Sequence, residues 1–195
     1  MTDCERTPLV IEDATLVNRC LGGDPDALRA FVERYQGNVF GLCFRMLGHR
    51  QDAEDVAQDS LIRALRHLAG WDPARPIVPW LLGIAANRCR TWLAKRALRP
   101  PHRELLDELG DDQSLVDQLG LAEELHLALN QIREEYRLCF VLYHQNELSL
   151  TEISQIVGSP VGTVKTWLFR ARRELARLLQ HRGLAPRGTH ELRSV

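Results

Sequence analysis

Residues 148–178, LSLTEISQIVGSPVGTVKTWLFRARRELARL, read as two short helices joined by a turn. Ser149 and Glu152 form an S-x-x-E capping box, in which each side chain satisfies a backbone N–H of the other at a helix start. Ile153, Ile156 and Val157 give that helix an apolar face, and Gly158 suits a tight turn. Ser159 is the expected cap of the next helix, with Pro160 at its first position. Val161, Val164, Leu168, Ala171, Leu175 and Leu178 then recur at alternating spacings of three and four, the signature of a helix with one buried stripe. The pair is a helix-turn-helix, whose second helix enters a DNA major groove. Its outward face would carry Lys165, Thr166, Phe169, Arg170 and Arg173. Arginine and lysine donate to guanine O6 and N7, and threonine contacts bases or phosphate. Gly162 and Thr163 would bring backbone N–H groups near a phosphate. A surface helix with a solvated basic face shows the same charges. The capped first helix, the glycine turn and Phe169 among cations favour the DNA reading.

Upstream, the chain reads as helix almost throughout. Helices are expected over about 122–132 and 134–145, the latter with Leu138, Val141 and Leu142 inward. Further back, Asp24-Pro25 caps and starts a helix carrying Leu28, Phe31, Val32, Tyr35, Val39, Leu42, Cys43 and Met46 at helical period, and Gly48 ends it. Ala53, Val56, Ala57, Ser60, Leu61, Ala64, Leu65 and Leu68 form the inner stripe of the next, with Glu54, Asp55, Gln58, Asp59 and Arg63 outside. Pro73, Pro76 and Pro79 make 71–79 a loop. A helix over about 80–97 follows, with Leu81, Ile84, Ala85, Cys89, Trp92 and Leu93 inward. The fold class is therefore all-α: two small helical domains joined by an acidic linker, the second containing the helix-turn-helix. The boundaries are an N-terminal tail at 1–13, a first domain at 14–100, a linker at 101–120, a second domain at 121–182 and a C-terminal tail at 183–195.

The net charge of −1 conceals strong segregation. Residues 75–103 hold seven basic and no acidic side chains, residues 104–124 hold eight acidic and no basic ones, and residues 165–187 hold seven basic side chains against Glu174 alone. Distribution matters more than the sum for nucleic-acid binding. No apolar run reaches the roughly 20 residues that span a bilayer, and residues 1–13 do not read as a secretory signal. A cytoplasmic protein without membrane insertion is expected. Cys4, Cys20, Cys43, Cys89 and Cys139 are scattered and read as buried thiols. No histidine or cysteine spacing suits a metal, and no phosphate loop or nucleophile–base arrangement points to an enzyme. Neither a cofactor nor a catalytic residue is expected.

Asp52-Ala53-Glu54-Asp55-Val56-Ala57-Gln58-Asp59, followed by Trp80-Leu81-x-x-Ile84-Ala85-x-Asn87, resembles the core of extracytoplasmic-function (group IV) sigma factors of the sigma-70 family. Leu148-Ser149-x-x-Glu152-Ile153 and residues 160–172 look like that family's second DNA-binding region. The resemblance covers about residues 14–182. It implies an alternative sigma factor that binds core RNA polymerase, at its clamp coiled coil and flap, and directs initiation at promoter DNA. It implies polymerase docking through Glu54, Asp55, Gln58 and Asp59. It implies −10 recognition and melting by Trp71, Arg75, Asn87, Arg88, Arg90, Lys95 and Arg96, with Asn87 beside a captured base. The helix-turn-helix residues would read the −35 element. An anti-sigma factor is an implied partner. Trp80 and Trp92 suit the core better than a stacking role. The proline-rich loop and Ser154, where the family usually has alanine, depart from the pattern. The linker reads either as a solvating segment or as one threaded through a cation-lined polymerase channel. A stand-alone helix-turn-helix regulator is the alternative, and it predicts tight duplex binding without polymerase.

Overall fold

The computed structural model describes residues 3–98 and 116–182, with side chains from residue 12 in the first stretch and from 123 in the second. The expected linker pieces before residue 116, the tail after residue 182 and the Cys4 side chain lie outside the described residues. Eight α-helices make up the described chain: α1 (Asp3–Leu21), α2 (Pro25–Leu47), α3 (Arg50–Arg66), α4 (Ile77–Ala97), α5 (Val116–Leu129), α6 (Glu134–His144), α7 (Leu150–Val157) and α8 (Val161–His181). A 3-10 turn, Leu68–Gly70, follows α3. Among the described residues there is no strand.

Local chemistry sets the boundaries. Asp24 caps α2 by accepting from the Asp26 and Ala27 amides at 2.9 and 3.3 Å. The Arg19 guanidinium bonded to Asp24, together with these amides, holds that carboxyl below the usual range. Gly48 closes α2 at φ +78°, donating its N–H to the Phe44 carbonyl at 2.9 Å, a left-handed conformation that costs glycine least.

Three sequence expectations are corrected here. Helix α1 begins at Asp3, so residues 3–13, assigned to a tail, are its first turns. Asp13 is buried, and its carboxylate accepts from the Tyr35 hydroxyl at 2.5 Å; burial and that carboxylate push the phenol up. Helix α4 starts at Ile77 rather than Trp80. Pro79 lies in its first turn, where a missing N–H forfeits no helical bond, so the loop shrinks to 71–76. Ser159 does not cap α8. Pro160 is the N-cap residue, without a side-chain bond, and the chain enters the helix one residue later than the spacing suggested.

Helices α1–α4 form one unit. Phe31, Tyr35, Leu68, Trp71, Ile77 and Leu81 fill one end of it. Helices α5–α8 form the second. The described units are not separate bodies. Leu42, Met46, Leu82, Ala86 and Cys89 of the first share a continuous buried cluster with Leu138, Leu142, Ile153, Val164 and Leu168 of the second. Helix α4 packs against α7, and α2 against α6. Binary patterning identifies which residues are buried but not which partner buries them.

Candidate nucleic-acid interface

The helix-turn-helix is built as its residues require. The Ser149 N–H donates to Glu152 Oε2 at 2.7 Å and the Glu152 N–H donates to Ser149 Oγ at 3.3 Å, so the capping box is closed both ways. Gly158 turns the chain at φ +67°. Ser154, where the family usually has alanine, donates its hydroxyl to the Ser159 carbonyl at 2.7 Å and braces the turn. Val164, Leu168, Ala171 and Leu175 are buried beneath α8.

The opposite face of α8 presents Lys165, Thr166, Phe169, Arg170 and Arg173 to solvent. Phe169 is 62 % exposed, whereas every other phenylalanine among the described residues is at least partly buried. Thr166 donates to the Gly162 carbonyl at 3.0 Å and keeps its acceptor lone pairs outward. Arg170 Nη1 donates to the Tyr136 hydroxyl at 3.0 Å, a bond that raises its already high pKa and fixes its direction. The Thr163 N–H is bonded to the Pro160 carbonyl at 2.8 Å, so it is not a free donor at the helix start.

The first unit places its candidates around a cleft of about 650 Å³. Asn87, Arg75 and Trp71 line it, with Pro76, Pro79, Trp80, Gly83 and Ile84. Asn87 is exposed on α4. Trp71 corrects a sequence assignment. It is only 6 % exposed, packed in the core under the 3-10 turn, and supplies a wall rather than an open stacking surface. Trp80 and Trp92, expected in the core, are half-buried. Arg75 pairs with Asp72 at 3.4 Å, and Arg96 lies 5.1 Å over the Trp92 ring. Lys95 is exposed. Arg90 pairs with Glu134 of the second unit at 3.8 Å.

On α3, Glu54, Asp55 and Gln58 are exposed and Asp59 is half-buried. Glu54 pairs with Arg50 at 2.8 Å. Asp59 pairs with Arg63 at 3.3 Å and also with Arg88. Two residues assigned from sequence to different surfaces therefore neutralise each other across α3 and α4.

Four polar residues escaped the sequence reading. Arg137, on α6, is only 9 % exposed, yet its Nη1 donates to the Met46 carbonyl and to Asn130 Oδ1, each at 2.8 Å. His126 stacks on Phe44 with centroids 4.5 Å apart, and burial lowers its pKa. Tyr136 orients Arg170. In sequence, Glu-Glu-Tyr-Arg looks like a solvated helix start, and no spacing signals a partner 91 residues upstream.

Comparison with known proteins decides the family. Residues 31–99 match the model of Sigma-70 region 2, and residues 122–175 match that of Sigma-70, region 4. The chain belongs to the sigma-70 family. Its relatives place it among the extracytoplasmic-function RNA polymerase sigma factors of that family. It is 32 % identical over 182 residues to the RNA polymerase sigma-H factor of Pseudomonas aeruginosa, covering 87 % of this chain and 94 % of that one. It is 33 % identical over 174 residues to the ECF RNA polymerase sigma factor SigW of Bacillus subtilis, covering 81 % and 91 %. The solved structure of CnrH in complex with the cytosolic domain of CnrY superposes with a TM-score of 0.64 at 26 % identity, covering 86 % of this chain and 96 % of that one. The sigma factor RpoE, solved with the anti-sigma factor NepR from Bartonella quintana, shares the fold at a TM-score of 0.67 and 20 % identity, covering 78 % and 96 %. In this sigma factor, region 2 thus runs from within α2 to the end of α4, and region 4 from within α5 through α6 and α7 to most of α8. Among the described residues no helix is long and apolar enough to cross a membrane.

Proposed function

We propose that this sigma factor divides promoter recognition between its two DNA-facing surfaces. Region 4 reads the −35 element through Lys165, Thr166, Phe169, Arg170 and Arg173. Region 2 captures and melts the −10 element with Asn87 and the cations of α4. The exposed acidic face of α3, at Glu54, Asp55 and Gln58, docks on core RNA polymerase, where opposite charge speeds association. The observation that carries the reading is the solvent-facing row of α8, a phenyl ring and three cations on a capped helix-turn-helix. Phosphate contacts position such a helix and base contacts specify the site. Sigma factors contribute no catalysis of their own, and the chain acts as a dissociable specificity subunit. An anti-sigma factor is the expected inhibitor, and a complex of that kind is known for the RpoE relative.

Run-off transcription with reconstituted holoenzyme on genomic fragments tests the proposal and yields the promoter sequence. Promoter-dependent transcripts that vanish without the chain are expected. Failure to bind core polymerase from its own bacterium would overturn it. Tight, specific duplex binding without polymerase would point instead to a stand-alone regulator.

A further inference from the structure

Arg170 stands on α8, but the group that directs it stands on α6. Its Nη1 donates to the Tyr136 hydroxyl at 3.0 Å, across 34 residues of sequence. The two side chains differ in freedom. Arg170 reaches into solvent, where a long arginine side chain samples many rotamers. Tyr136 cannot follow it. It is 3 % exposed and belongs to the continuous apolar cluster that also holds Leu138, Leu168 and Ala171. Its ring lies beneath the Arg133 guanidinium, 5.4 Å from carbon to centroid. With few torsions of its own and a buried ring, Tyr136 offers its oxygen as a fixed point at the edge of α8.

The bond takes one side of the guanidinium and leaves the other. Nη1 is engaged. The Nε–Nη2 edge, whose N–H groups run parallel, remains for a pair of acceptors. In a major groove the matching pair is O6 and N7 of guanine. An arginine held in this way presents an edge that one base rewards. A released arginine turns as readily to a phosphate, which every sequence offers. The seam between α6 and α8 is already closed by buried apolar side chains, so the bond at its exposed rim acts chiefly on the direction of Arg170.

We propose that Tyr136 is a specificity residue of the −35 surface: from α6, outside the helix-turn-helix, it positions Arg170 to read a guanine. The inference rests on the proposed reading of α8. Ordering such a side chain before it binds is worth about two- to tenfold in affinity, and that gain falls on promoters carrying the preferred base.

Tyr136→Phe tests it, because it keeps the ring and deletes the acceptor. Holoenzymes with the wild-type chain, Tyr136→Phe, Arg170→Ala and the double variant are titrated on promoters in which each −35 base pair is changed in turn. The position whose discrimination Arg170→Ala abolishes is the one that Arg170 reads. There the guanine preference should fall about two- to tenfold in Tyr136→Phe. Preferences at the other positions should hold, and the salt slope should keep its wild-type value because no phosphate contact is removed. Adding Tyr136→Phe to Arg170→Ala should change discrimination no further. A Tyr136→Phe chain with its full guanine preference would overturn the inference. So would one that weakens every promoter alike, the mark of a displaced helix rather than a released arginine, and so would a preferred base other than guanine. If Arg170→Ala itself leaves every preference intact, the α8 assignment fails and the inference with it. Side-chain 15N relaxation of the free chain adds a readout apart from transcription. The Arg170 Nε should be more restricted on the ps–ns timescale than that of exposed Arg173, and Tyr136→Phe should release it. An Arg170 as mobile as Arg173 in the wild-type chain would overturn the inference without any variant.

Discussion

Replacing Arg137 with methionine should loosen the contact between regions 2 and 4 without unmaking either. Methionine keeps most of the buried stem and removes the guanidinium. Two hydrogen bonds are lost, to the Met46 carbonyl and to Asn130 Oδ1, both at 2.8 Å. Bonds from a charged donor contribute about 1.5–3 kcal/mol each. Part of this is offset, because burial penalises the cation and lowers its pKa. A net loss of about 3 kcal/mol follows for the folded chain, and only the Met46 bond joins the two units, because Asn130 and Arg137 both lie in the second. For a chain of this size each kcal/mol moves the melting temperature by about 2–4 °C, so Arg137→Met should lower it by roughly 6–12 °C. The specific assay is amide hydrogen exchange. Protection should fall along the C-terminal turn of α2, around Phe44 to Gly48, and across the α4–α7 contact, while the interior of α2 keeps its protection. A melting temperature within 2 °C of wild type, with unchanged exchange at Gly48, would refute the role given to Arg137.

Four other outcomes are expected. Arg170→Ala should weaken promoter recognition by about ten- to a hundredfold and leave core binding intact; titration of holoenzyme on promoter DNA measures it, and an unchanged base preference would count against the α8 assignment. Asp55→Lys should do the reverse, raising the dissociation constant for core polymerase while the free chain melts as before, which a fluorescence titration with labelled core checks. Ser149→Ala opens the capping box of α7 and should cost about 1 kcal/mol by chemical denaturation. Burial lowers the pKa of His126, and of His144 beside Arg172, below the usual histidine value. The unfolded chain then binds more protons as pH falls through that value, so stability should be full at neutral pH and decline below about 6.5. His126→Gln should flatten that slope, and a pH series of thermal melts decides.

The helix-turn-helix was legible because each of its signals is local. A capping box, a turn glycine and a three-four apolar repeat all act within a few residues. The same holds for α2, where Asp24 and Gly48 announce the ends. Two boundary errors share a cause. Both turn on proline: Pro79 was read as part of a loop yet is accommodated in the first turn of α4, and Pro160 was placed at the first position of α8 yet precedes it as its N-cap residue. Trp71 was ambiguous because an aromatic beside a loop packs inward or outward according to neighbours that sequence does not supply. The contact between the units was not legible at all. Its apolar residues look like ordinary core, and its polar anchor joins an arginine to a carbonyl group far upstream. The pairing of Asp59 with Arg88 was invisible for a related reason, since each fitted a separate charged surface.

The contact between the two units also has a genetic asymmetry. On one side its acceptor is a main-chain oxygen, that of Met46, which every amino acid possesses. On the other side the donor is a single side chain that no other residue reproduces. A screen for variants whose two units pack loosely should therefore recover changes at Arg137, at Asn130 and at Gly48, where any added carbon crowds Asn130. It cannot delete the acceptor by substitution at residue 46. Region 4 can lose its half of the bond by one base change, whereas no substitution at residue 46 removes the oxygen that region 2 supplies.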